Sequence, residues 1–209
     1  MEKLVIKTAV KTVLIILGII IVVFAIFNFA FPQHMATATE SIGNYSLAVK
    51  YADLRYKYTK SGSDLARCFD DSVLLGDDKY IIEYGEKLVA HKDYQAICTE
   101  RNGSEVSGSS SAYGYDNWVK SKLCVSLYNS GSPANAIMRA SEYNGNTSFA
   151  YGNPLIALAS KIKAENNVDG ATVMLAALKD IHPEETDDKE CLNQITATMI
   201  SIQSGTARH

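Results

Sequence analysis

Hydrophobic and polar positions change their pattern at Phe31. Thr12 to Phe31 reads TVLIILGIIIVVFAIFNFAF, 20 residues without a charge. A helix of this length spans roughly 30 Å, the thickness of a bilayer's hydrocarbon core. A helix buried in a soluble domain keeps a polar face, and this run has none. It therefore predicts a transmembrane anchor over residues 12–31, after a short N-terminal segment, 1–11. Beyond Phe31 the apolar residues fall into short stripes at helical spacing, broken by turns rich in Gly, Asn and Asp. That pattern predicts an all-α body. The last stripe is Leu192, Ile195, Met199 and Ile202, at steps of 3, 4 and 3.

The turns share a form. Gly43-Asn44-Tyr45-Ser46-Leu47-Ala48-Val49 recurs as Gly76-Asp77-Asp78-Lys79-Tyr80-Ile81-Ile82 and Gly131-Ser132-Pro133-Ala134-Asn135-Ala136-Ile137, and again, more loosely, as Asn166-Asn167-Val168-Asp169-Gly170-Ala171. With Ala48, Ile81, Ala136 and Ala171 as equivalents, the steps are 33, 55 and 35 residues, the middle one being a period plus about 21. Twelve residues before each lies Ala36, Phe69, Cys124 or Ala159, and four after it lies Ala52, Gly85, Ala140 or Leu175. Small residues dominate at these sites, although Phe69 and Ile81 depart from that rule.

This unit resembles the centre of a tetratricopeptide repeat, in which a turn of the form G-D/N-Y-x-x-A joins helix A to helix B. The resemblance covers residues 32–183 and implies an α-solenoid of about four degenerate helix pairs. It assigns structural roles within the repeat. Gly43, Gly76 and Gly131 turn the chain without a Cβ penalty, and Tyr45 packs under its turn. Ala48, Ala136 and Ala171, with Ile81 at the equivalent place, set the approach of helix B to helix A. Pro183, twelve residues after Ala171, stands where the family often ends helix B. Residues 184–209 then form a capping helix and tail. The extra residues of the middle step are assigned to a Gly/Ser-rich mobile loop, 102–115. Tyr113, Tyr115 and Trp118 at its end are candidate partner contacts.

Charge sets orientation. Lys3, Lys7 and Lys11 precede the apolar run, and no Lys or Arg follows it until Lys50. The positive-inside rule places the N-terminus in the cytoplasm and the body outside, most simply at a bacterial plasma membrane. The whole chain carries a formal charge of -3, and the three anchor-flanking lysines leave the body more acidic still. An acidic body without a basic run argues against nucleic acid as a partner. Ala36-Thr37-Ala38 resembles a cleavage site. The apolar run is longer than a signal core, however, and cutting there would remove most of the first helix of the first pair. A retained anchor is the expectation, and a cleaved, secreted binding protein the alternative. The same scaffold facing the cytoplasm is a further one.

Candidate chemistry is sparse. Cys68, Cys98, Cys124 and Cys191 match no zinc spacing. An extracytoplasmic body permits disulfides, and neighbouring A helices make Cys68 and Cys124 the candidate pair. His34, His91, His182 and His209 sit in no metal-binding motif, and no phosphate loop, nucleophile elbow or dinucleotide fingerprint occurs. No catalytic, cofactor-binding or metal-ligating residue is assigned. The expectation is a non-enzymatic, membrane-anchored scaffold that binds a protein or peptide partner at the cell envelope.

Overall fold

An all-helical chain follows from the periodicity, and the computed structural model describes it over residues 2–102, 114–144, 153–183 and 185–205. Among the described residues there are eleven helices and no strand. They are α1 (Glu2–Ala30), α2 (Pro32–Ser41), α3 (Tyr45–Thr59), α4 (Gly62–Leu75), α5 (Asp78–Val89), α6 (Tyr94–Arg101), α7 (Tyr115–Asn129), α8 (Pro133–Asn144), α9 (Pro154–Glu165), α10 (Val168–Leu178) and α11 (Thr186–Gln203).

α1 carries the apolar run. Its stretch Ala9–Phe27 has a mean hydropathy of 3.0, and none of it is buried against the rest of the chain. It is long and apolar enough to cross a membrane. The helix begins at Glu2 rather than at Thr12, because no Gly or Pro separates the first residues from the apolar run. It ends one residue earlier than the apolar run does. Phe31 leaves the helical region at φ -130, and Pro32 opens α2, a first-turn position where a missing N–H costs nothing.

Four turns joining consecutive helices have the same construction. A residue with positive φ ends the first helix: Gly43 at +73, Gly76 at +72, Gly131 at +85 and Asn166 at +48. In each turn the following residue sends its N–H back to a carbonyl five residues earlier: Asn44 to Thr39, Asp77 to Ser72, Ser132 to Leu127 and Asn167 to Ile162. This is the six-to-one bond of a Schellman cap. The same residue then starts the next helix. Asn44, Asp77 and Asn167 accept side-chain hydrogen bonds from backbone N–H groups of its first turn, which satisfies otherwise orphaned donors. One residue stops a helix and its neighbour starts the next, so each reversal takes two or three residues.

The helices bury two apolar clusters. The first joins α3, α4, α5, α6 and the start of α7 around Leu65, Phe69, Leu88 and Val119. The second joins the rest of α7 to α8–α11 around Ile137, Leu158, Ile162, Met174 and Met199. α7 belongs to both: Tyr115 and Val119 enter the first cluster, and Cys124 and Tyr128 the second. Among the described residues, the principal packing partners are helices no more than two places apart in chain order.

Most of the predicted loop, residues 103–113, lies outside the described residues, and the long middle step also holds α6, which buries Tyr94, Ile97 and Cys98, a short i, i+3, i+4 stripe. Two expectations are corrected. Pro183 does not end a helix, since α10 stops at Leu178 and Pro183 is buried in the connection to α11. Cys68 and Cys124 are both free thiols, and they lie in different clusters. The reason is that α7 packs chiefly on α5, α8 and α9, and meets α4 near its own N-terminal end, away from Cys124.

Candidate functional site

The apolar stripes of α8, α10 and α11 are wider than their mutual packing needs. Buried faces carry Ile137, Met174 and Met199. The residues left over reach solvent: Met138 is 58% exposed, Ile200 51% and Val173 36%. They line two adjoining clefts. One, about 320 Å³, runs between α8 and α10 past Met138, Val173, Ala176 and Ile181. The other, about 510 Å³, runs between α10 and α11 past Leu175, Ala176, Leu192 and Ile200. Ala176 borders both. Polar groups sit at the edges, with Asp180 beside the first cleft and Lys179, Asn193 and Gln203 beside the second. Such a surface has the apolar floor and polar margin of a groove that receives a helix or an extended peptide. It presents no convergent titratable groups of the kind catalysis needs.

Gly43, Gly76 and Gly131 occupy left-handed positions. Ala48, Ala136 and Ala171 are fully buried, and Ile81 is 5% exposed. Tyr45 is half-buried at the first position of α3. Tyr113 lies outside the described residues.

Tyr115 is not a partner contact. It is the first residue of α7 and is buried. Its hydroxyl donates to Asp70 Oδ1 at 2.7 Å, and its backbone N–H donates to Asn102 Oδ1 at 2.6 Å. Arg101 from α6 lies over the Tyr115 ring and pairs with the other Asp70 oxygen. Burial pushes the Asp70 carboxyl up to about 6, against the opposing pull of Arg101 and Tyr115. Trp118 is half-buried and packs edge-on against Phe69, with ring centroids 5.4 Å apart. The aromatic cluster after the Gly/Ser segment therefore closes the first core, and the exposed apolar groove lies on helices of the second. Sequence reasoning passed over Met138, Val173 and Ile200 because a helical stripe does not say which of its members find a partner.

Cys68, Cys98 and Cys124 are shielded. Burial raises the Cys68 and Cys98 thiols and takes Cys124 up to about 12. Among the described residues no three His, Cys, Asp or Glu side chains are placed to hold a metal ion.

No protein-family model, curated protein or solved structure matches this chain.

Proposed function

We propose that the protein is a membrane-anchored, non-enzymatic scaffold whose helical body belongs to the tetratricopeptide-like class of α-solenoids. In this reading it binds an amphipathic helical segment of a membrane-proximal protein. The observation that carries the reading is the pair of open apolar clefts shared by α8, α10 and α11. The four alike turns, with their left-handed residue and capping neighbour, support the repeat class. So does packing that stays between near neighbours in chain order, as expected of a quasi-one-dimensional stack.

The anchor is retained and the body lies outside the cytoplasm. Cleavage after Ala38 would remove Ala36, which is fully buried, and Thr37, which accepts from Arg67. Only Phe31 separates α1 from α2, so the body begins at the membrane surface and its partner is a membrane-proximal protein. Orientation rests on Lys3, Lys7 and Lys11 ahead of the span.

Photo-crosslinking in native membranes tests the binding surface. A crosslinker at Met138 or Ile200 is expected to trap one discrete partner, and one at exposed Lys79, in the α4–α5 region, is not. Equal labelling from all three positions would overturn the groove assignment. Protease added to wall-stripped intact cells tests topology: the body is expected to be digested and an anchor fragment kept. Protection until lysis would reverse the orientation.

A further inference from the structure

Asp71 follows Asp70 on α4, and its surroundings differ. It is 2% exposed, and its Oδ2 makes no hydrogen bond. A buried carboxylate oxygen without a donor is costly, and the cost falls when the group takes a proton. The charge of Glu40, on α2, further disfavours ionisation of this carboxyl. Arg67, one turn earlier on α4, already has its Nε on Glu40 Oε1 at 2.7 Å and its Nη2 on Thr37 Oγ1 at 2.8 Å.

Several charges on the other elements around α4 are engaged elsewhere. On α3, Arg55 pairs with Asp64, and Lys57 with Asp53. On α5, Lys87 pairs with Glu83. Arg101 on α6 and Tyr115 on α7 are bound to Asp70. Two carboxyl groups, the buried Asp71 and the partly exposed Glu40, thus face one guanidinium.

We propose that Asp71 keeps a proton that it donates to Glu40, that this contact clasps α2 to α4, and that loss of the proton loosens α2, the helix adjoining the membrane segment. Burial first, and the Glu40 charge second, push the Asp71 carboxyl up to about 8, whereas a carboxyl in an unfolded chain titrates near 4. Between about pH 4 and pH 8 the folded chain holds a proton that the unfolded chain has released, so stability falls as pH rises through that window and levels off above it. Asp70, at about 6, contributes only to the lower part. The clasp does not depend on what the groove binds.

The test is urea unfolding of the full chain in detergent between pH 6.5 and 8, followed by helical signal. The folding constant of the wild type is expected to fall by up to tenfold per pH unit, the linkage of a single proton, and that of Asp71→Asn to stay flat. Amide exchange of α2, corrected for intrinsic rate, is expected to be faster in the wild type than in Asp71→Asn at pH 8.5. Infrared spectroscopy of the wild type at pH 7 is expected to show the carbonyl band of a protonated carboxyl, and Glu40→Gln is expected to shift its loss to lower pH. That readout needs no Asp71 variant to fold. A flat wild-type profile, a slope retained in Asp71→Asn, equal α2 exchange, or the absence of the carboxyl band would each overturn the proposal.

Discussion

Phe69 on α4 fills the space that Gly85 on α5 leaves empty. A Cβ built on Gly85 would stand 3.0 Å from Phe69 Cε2 and 3.3 Å from Leu123 Cδ1. Phe69 and Leu123 are both fully buried, so neither has room to give. This explains how a large aromatic occupies a helix-A position that elsewhere carries Ala36, Cys124 or Ala159: volume gained on one helix is removed from its partner. Gly85→Ala is expected to destabilise the body by about 1 kcal/mol, because overpacking of about 1–3 kcal/mol exceeds the roughly 0.5–1 kcal/mol that alanine gains over glycine within a helix. Phe69→Leu in the same chain is expected to recover part of the loss. Urea midpoints of the single and double variants measure the coupling, and additive losses would show that the two sites are independent.

The turns make a second, local prediction. Gly76 sits at φ +72 with open space around its Cα, so backbone strain alone opposes a side chain there. Gly76→Ala is expected to cost about 1–2 kcal/mol, the left-handed penalty of an L-residue. Asn166 occupies the equivalent position at φ +48, and Asn166→Gly is expected to be neutral or slightly stabilising. Thermal unfolding of the two variants gives the comparison. Equal effects would mean that the two turns are not equivalent.

Thiol reactivity follows burial. Cys68 and Cys124 are fully buried, whereas Cys191 is partly exposed. In the folded protein an alkylating reagent is expected to modify Cys191 first, and to reach Cys68 and Cys124 only when urea unfolds the body. Mass spectrometry without reductant is expected to find both thiols free. A Cys68–Cys124 crosslink in the isolated protein would contradict the packing of α7 against α5.

Tyr115→Phe removes one hydrogen bond and little volume. The Asp70 carboxylate keeps Arg101 but loses a donor at 2.7 Å, and a hydrogen bond to a charged group contributes about 1.5–3 kcal/mol. A loss of that order is expected in denaturant unfolding. Losing the donor also raises the Asp70 carboxyl further, so the deficit is expected to grow as pH rises from 5 to 7, where the wild-type carboxylate is ionised and the variant must bury it with fewer partners. A deficit that does not change with pH would place the hydroxyl in a packing role only.

Met138→Asp together with Ile200→Asp tests whether the groove is surplus to the fold. Both side chains are more than half exposed, and exposed substitutions usually change stability by less than about 0.5 kcal/mol. Thermal unfolding is expected to stay close to wild type while crosslinking to the partner is lost. A large stability loss would mean that these residues serve the fold itself.

Most of the helices and four of their turns were legible because they are decided locally. A 3.6-residue period marks the buried face of α11, and a residue tolerant of positive φ followed by a polar residue that starts the next helix marks the four alike turns. The apolar helix α1 was legible for the same reason, since span length and absence of charge involve no distant residue. The sequence alone therefore determined an all-helical body behind an apolar segment and located the four alike turns. Tertiary structure decided what depends on neighbours far along the chain. Tyr115 looked like a loop-end contact until it met Asp70, 45 residues earlier. Phe69 looked misplaced until Gly85 faced it. α6 was hidden because eight residues carry too weak a stripe to outweigh the Gly/Ser segment beside them. The division between the apolar surface that α8, α10 and α11 bury and the part they leave as a groove was set only when the helices packed, because burial belongs to the assembled interface and not to any one helix.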